Sequence, residues 1–252
     1  MKIAVALSGG GARCLAQLGY LSVLWEMGIT FGALSGSSGG SIAAAFLALG
    51  MSPKEAYEAV KGFDFSAIKL NLFRGSLFRL DEVAPRFRAM GLEDFEKLSL
   101  PLSVTLTRYR DTQTIYKQEG DLATSLIASS ALIPIFAPVQ LEGELYIDGA
   151  FSDNLPVKPL LHHPYHILAI NVNPLAPTFR PTFMGHFKKA CYTLFSNTIK
   201  ESIPLAHTFV QIEEAGKFGI LDKRHIDLIY RLGVEAGKKE EKRWEALCLK
   251  NS

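Results

Sequence analysis

Apolar residues fall along this chain in short unbroken runs that alternate with stretches of helical period. That alternation builds a mostly parallel sheet covered by helices on both faces, so the fold class is α/β. Residues 3–7 are continuously apolar, as a strand buried on both faces must be. After a run of glycines, Leu15, Leu18, Leu21, Val23, Leu24 and Met27 recur near a helical period up to Gly28, which predicts a helix over 15–27. A second strand is expected at 31–34, and after Gly36-Ser37-Ser38-Gly39-Gly40 a helix over 41–49. Ser52 and Pro53 suit the start of another helix, over 54–62. Further strands are predicted at 101–108, at 113–117 pairing back around Asp111-Thr112, at 165–172 and at 208–212. Residues 222–249 read as a long amphipathic helix packing on the core, its charge run 238–243 a solvated face. The length suits one substantial core, and residues 1–252 are read as a single domain.

The pattern also picks out chemistry. Gly36-Ser37-Ser38-Gly39-Gly40 fits Gly-x-Ser-x-Gly between a strand and a helix, where Gly36 and Gly40 permit a strained turn that lifts the Ser38 hydroxyl clear of the backbone. A serine hydroxyl needs a neighbouring base. The strongest candidate is Asp148, at the end of a short apolar run and followed by Gly149 and Ala150. An Asp-Gly pair is otherwise a turn signal, and the pairing with Ser38 is what gives it a chemical reading. The loop Gly9-Gly10-Gly11-Ala12-Arg13 offers unobstructed backbone N–H groups near a helix start and is assigned the oxyanion hole. Read instead as a phosphate cradle, the same loop would need a third glycine where Cys14 stands and an acidic residue after Ser35-Gly36.

Composition narrows the class. Hydrophobic residues make up 48% and charged residues 21%, and the net charge of +2 leaves no electrostatic footprint for nucleic acid. The cysteines, Cys14, Cys191 and Cys248, form neither a disulfide framework nor a zinc-ligand pattern, so reduced thiols are expected. The apolar runs at 3–7 and 42–49 are too short for a signal peptide core and a membrane span respectively. A cytoplasmic location with peripheral membrane contact fits these features; the oligomeric state is left open.

Taken in order, the glycine loop with its basic residue, Gly-x-Ser-x-Gly and Asp-Gly-Ala resemble the patatin-like phospholipases. Residues 128–138 and 148–157 are similar to family segments around the catalytic aspartate, and the likeness covers roughly residues 1–160. The resemblance implies a three-layer α/β/α fold, a serine–aspartate dyad of Ser38 and Asp148 without a catalytic histidine, and hydrolysis of phospholipid, lysophospholipid or other acyl esters without a metal. Cys14 departs from the family, which usually has glycine after the basic residue. Arg13 keeps that basic position and is expected to steady the oxyanion loop or meet an anionic head group.

Rival readings remain. An α/β-hydrolase triad would follow the chain order Ser38, Asp148 and then His162, His163 or His166, although only one clear strand precedes Ser38. A non-catalytic nucleotide-binding or regulatory module would keep the fold without the reaction. Two greasy stretches bear on substrate. In 68–80, Leu70, Leu72, Phe73, Leu77 and Phe78 mix with Lys69, Arg74 and Arg79, which suits a lip guiding acyl chains or a core-covering loop. Phe183, Met184, Phe187, Cys191, Leu194 and Phe195 recur at helical spacing beside Lys188 and Lys189, as a helix packed on the sheet or a membrane-facing stripe would.

Overall fold

The computed structural model describes residues 1–63, 69–70, 78–80, 83–175 and 178–250. The chain runs β1 (Lys2–Leu7), α1 (Leu15–Glu26), β2 (Thr30–Ser37), α2 (Gly39–Ala48), α3 (Pro53–Lys61), β3 (Lys69–Leu70), β4 (Phe78–Arg79), α4 (Val83–Ala89) and β5 (Leu102–Arg108). It continues as β6 (Thr114–Lys117), α5 (Leu122–Ser129), β7 (Val139–Leu141), β8 (Glu144–Asp148), β9 (His166–Asn171), α6 (Phe183–Ser202), β10 (Thr208–Gln211) and α7 (Ile226–Lys250). The sheet order is β10-β9-β1-β2-β5-β8-β7, with β6 also on β5. Pairing is parallel from β10 to β5 and antiparallel beyond it. The fold is the expected α/β architecture with a mostly parallel central sheet, closed at one side by antiparallel strands.

Two apolar clusters cover the two faces of the sheet. Ile3, Val5 and Leu7 of β1 belong to the larger one, with α1, α2, α5 and α7, whereas Ala4 and Ala6 face a smaller one with Leu155, Leu160 and Ile199. Burial on both faces is why β1 reads as an unbroken apolar run. The cap expected at Ser52 is formed, and as a full capping box, with the Glu55 carboxylate accepting from the Ser52 N–H at 2.8 Å and the Ser52 hydroxyl accepting from the Glu55 N–H at 3.3 Å.

Several features depart from the sequence reading, α4, β7 and β8 among them as elements it did not predict. The last helix starts at Ile226 rather than 222, because the Asp222 carboxylate accepts the N–H groups of Arg224 and His225 and turns the chain first. Strand β2 runs on through Ser35, Gly36 and Ser37, small residues that look like a turn but are fully buried in the sheet. Helix α5 was not predicted: seven of its eight residues are buried, so no polar face gives it a period. Most of 68–80, including Leu72, Phe73, Arg74 and Leu77, lies outside the described residues, as do the side chains of Met184 and Phe187. Among the described residues no helix is long and apolar enough to cross a membrane.

Candidate active site

The sheet itself brings Ser38 to Asp148. Strand β6 covers 104–107 along one edge of β5, so β2 and β8, whose pairings each overlap that stretch, must share the opposite edge. Ser37 lies opposite Thr105 and Asp148 opposite Leu106, so the parallel β2 and the antiparallel β8 end head-on against consecutive residues of β5. Across that junction the Ser38 hydroxyl donates to Asp148 Oδ2 at 2.8 Å.

Ser38 stands between β2 and α2 with φ 51° and ψ −130°, a conformation that costs a non-glycine residue roughly 1–3 kcal/mol. The surroundings hold it there. Its N–H donates to the Ser129 hydroxyl at 2.8 Å, and its carbonyl accepts from the Ser41 hydroxyl at 2.6 Å. A Cβ at Gly40 would come within 2.4 Å of the Ser8 carbonyl oxygen, so only glycine lets α2 start this close to β1.

Asp148 is 2% exposed. Oδ1 accepts the N–H of Ala150 at 2.9 Å, which leaves Oδ2 for the serine. Burial pushes the carboxyl up from 3.8 to about 7, against the opposing pull of the hydrogen bonds from Ala150 and Ser38. The carboxyl is thus almost fully shielded from solvent and titrates near neutrality. Gly149 packs beneath the pair, where a Cβ would strike the Thr105 carbonyl oxygen at 2.2 Å.

The glycine loop is more selective than its sequence suggests. The N–H of Gly9 is engaged by the Asn154 side-chain and main-chain oxygens at 3.0 and 3.1 Å, that of Ala12 by the Ile220 carbonyl at 2.8 Å, and that of Arg13 by the Gly10 carbonyl at 3.3 Å. Of the five residues assigned to the oxyanion hole, Gly9, Ala12 and Arg13 therefore have no amide to spare. The N–H groups of Gly10 and Gly11 bond to none of the described residues, and neither does that of Gly39 at the start of α2. Arg13 is buried: Nε donates to the Phe218 carbonyl at 2.7 Å, Nη1 to Asn173 Oδ1 at 3.4 Å, and the guanidinium lies 5.7 Å from the Tyr192 ring centre. It steadies the loop. Cys14 is buried with Sγ 3.4 Å from the Ser8 carbonyl, and burial pushes its thiol well above the usual range, so it is a packing residue.

An apolar cavity of about 200 Å³ opens on Ser38 and Asp148, walled by Leu15 and Leu18 of α1, Ile42 and Phe46 of α2, and Phe63, Phe87 and Phe136. Among the described residues no histidine lines it. His166 pairs with Ile3 at the start of β1, the opposite end of the sheet from Ser38, and donates to or accepts from Thr208. His162 and His163 border a separate cavity beside Ser103 and Leu160. Asp148 reaches the hydroxyl directly, and a triad through any of these three histidines is not assembled.

A profile of the family described as Patatin-like phospholipase matches residues 5–161. The chain belongs to the patatin-like phospholipase family. It is 27% identical over 163 residues to an uncharacterised NTE family protein of Mycobacterium tuberculosis, covering 63% of this chain and 45% of that one. To the lysophospholipase NTE1 of Coccidioides immitis it is 28% identical over 169 residues, covering 62% of this chain and 10% of the fungal protein. The chain thus spans less than half the length of these curated relatives. Among solved structures, VipD from Legionella pneumophila shares the fold with a TM-score of 0.59 at 14% identity, covering 94% of this chain and 66% of that one.

Within this patatin-like domain, two polar side chains that sequence reasoning did not single out support the site. Asn154 fixes Gly9, and Ser129 fixes the Ser38 backbone. Both lie in the segments that resemble the family, but nothing in the sequence says which backbone group each meets. Losing the Ser129 hydroxyl removes one hydrogen bond worth about 1 kcal/mol. Ser129→Ala is expected to lower kcat about five- to tenfold with KM little changed in steady-state assays, and an unaltered kcat would show that Ser38 is held without it.

Proposed function

We propose that this patatin-like domain hydrolyses acyl esters of lipids, with Ser38 as nucleophile and Asp148 as general base and then general acid. The observation that carries the reading is the strained Ser38 hydroxyl bonded directly, at 2.8 Å, to a buried carboxylate at the mouth of an apolar cavity. As Ser38 Oγ attacks the ester carbonyl, its proton passes to Asp148 Oδ2. The N–H groups of Gly10, Gly11 and Gly39 are the donors left for the oxyanion, with the N-terminus of α2 adding its positive end. Collapse expels the alcohol, which takes the proton back from Asp148. Water then attacks the acyl-enzyme with Asp148 again as base, releasing the carboxylic acid and free Ser38.

The apolar wall argues for a fatty acyl group, since each buried methylene contributes about 0.8 kcal/mol. The similarity to a protein named lysophospholipase supports phospholipid or lysophospholipid as the substrate class. The test is a panel of phospholipids, lysophospholipids and neutral acyl esters, assayed by released fatty acid with wild type and Ser38→Ala, together with fluorophosphonate labelling. Release and labelling by wild type alone support the proposal; a folded wild type that neither labels nor releases fatty acid would sink it.

The raised carboxyl of Asp148 sets the pH dependence. A protonated Asp148 cannot accept the serine proton, so kcat/KM for a soluble ester should level off above pH 7 and fall about tenfold per unit below it. A profile flat down to pH 5 on the order of that plateau would exclude Asp148 as the base.

A further inference from the structure

Helix α6 presents two apolar faces, and only one of them is used by the fold. Ser196, Ile199 and Ser202 turn inward and are buried, with Tyr192 and Phe195 half-buried beside them. The same side is tied to the catalytic elements. Tyr192 lies against the Arg13 guanidinium of the glycine loop, and Phe195 meets Phe151, three residues beyond Asp148, edge-on at 5.5 Å. Thr198 Oγ1 accepts the N–H of Asn154, the residue that holds Gly9. The opposite side faces solvent. Phe183, Ala190 and Leu194 are spaced by seven and four residues, which at 3.6 residues per turn sets them in one stripe. Phe183 is 87% exposed and Leu194 44%.

The charge along this stretch of the chain has one sign. From 179 to 200 the sequence holds Arg180, Lys188, Lys189 and Lys200 and no acidic residue, the first being Glu201 in the last turn of α6. Arg180, Lys188 and Lys189 are all exposed, and His186 lies on the same outer side. An exposed apolar stripe on a helix whose other exposed charges before its last turn are all basic suits a helix that lies in the headgroup region, its apolar side chains reaching the acyl boundary and its long cationic side chains extending to lipid phosphates. A second copy of the chain docked on this stripe by a two-fold axis would set the basic residues against their own counterparts, and that repulsion disfavours self-association.

We propose that the exposed face of α6 seats this protein on an anionic bilayer. The inference deepens the lipid-ester reading, because α6 is braced on the glycine loop and the Asp148 turn, so the helix that touches lipid also touches the elements that would act on it. Binding, however, needs no turnover, and the two claims fail separately.

The experiment is flotation of full-length Ser38→Ala protein with vesicles of phosphatidylcholine alone and of phosphatidylcholine containing phosphatidylglycerol. Partitioning is expected to be strong on the anionic vesicles, weak on the neutral ones, and reduced by high salt. Adding Phe183→Ser and Leu194→Ser should cut it about tenfold or more, and adding Lys188→Glu alone by about tenfold. Both substitution sets, placed in the wild-type background, should leave hydrolysis of a soluble short-chain ester and the melting temperature unchanged, which excludes misfolding as the cause. Anionic-vesicle binding that survives the Phe183/Leu194 variant overturns the proposal. So does a wild type whose sedimentation shows a dimer that the same variant dissociates, since the stripe would then be covered by a second copy.

Discussion

Asp148→Asn is expected to abolish ester hydrolysis while making the protein more stable at neutral and alkaline pH. Asparagine keeps the shape of the side chain and an oxygen for the Ala150 N–H, but it cannot take the serine proton. Turnover should fall by about 10⁴-fold or more, matching Ser38→Ala, because the two groups act as a unit and removing either removes the same step. The stability change follows from the same carboxyl. In the folded protein it titrates at about 7, against 3.8 ordinarily, so the native state holds this proton more tightly than the unfolded chain does. Stability associated with Asp148 is therefore complete below about pH 4 and is lost as pH rises to 7, where a charge must be kept in a site that is 2% exposed. At about 1.4 kcal/mol per pH unit the cost is roughly 4–5 kcal/mol, and an uncharged asparagine avoids it. Thermal melts should place Asp148→Asn several degrees above wild type at pH 8, with the gap closing by pH 4. A variant less stable than wild type at pH 8 would mean that the buried charge is better compensated than its surroundings indicate.

The second large effect concerns the seam between α1 and α7. A Cβ at Gly233 would lie 1.9 Å from the Ala16 carbonyl oxygen, and one at Gly19 would lie 2.0 Å from that of Tyr230, so the two helix backbones touch. Neither obstacle is a flexible side chain that could swing aside. Nearby, Trp244 Nε1 donates to the Tyr20 hydroxyl at 2.7 Å, which fixes the register of the pair. Gly233→Val should force the helices apart and cost about 3 kcal/mol, at the top of the usual range for overpacking. For a chain of this size that lowers the melting temperature by roughly 6–12 °C. Glu235→Ala, two residues away on the exposed side of α7, should stay within about 0.5 kcal/mol of wild type. Activity should fall with Gly233→Val as well, since α1 leads directly out of the glycine loop. Equal melting temperatures for the two variants would contradict so close a contact.

Much of the site was legible in the chain because its parts are local. A strand, a Gly-x-Ser-x-Gly turn and a helix form within a dozen residues, and the small side chains that a strained turn demands are written at 36–40 whatever the rest of the protein does. The alternation of apolar runs and helical periods likewise decided the α/β class, since burial of a sheet on both faces has to appear as unbroken apolar strands such as 3–7. The order of the three motifs gave the family.

What the sequence could not carry depends on partners far along the chain. Five glycine-loop residues look equivalent, yet Asn154, Ile220 and the loop's own Gly10 carbonyl consume the amides of Gly9, Ala12 and Arg13, and those pairings exist only once distant segments fold onto the loop. The rise of Asp148 toward neutrality is a consequence of burial, which no single position records. That Ser38 reaches Asp148 without a histidine was decided by one edge of β5, where a parallel and an antiparallel strand, brought in from opposite directions, end on neighbouring residues. A sequence specifies which side chains are available for chemistry; strand register, a long-range property of the sheet, sets which of them come within reach of a proton.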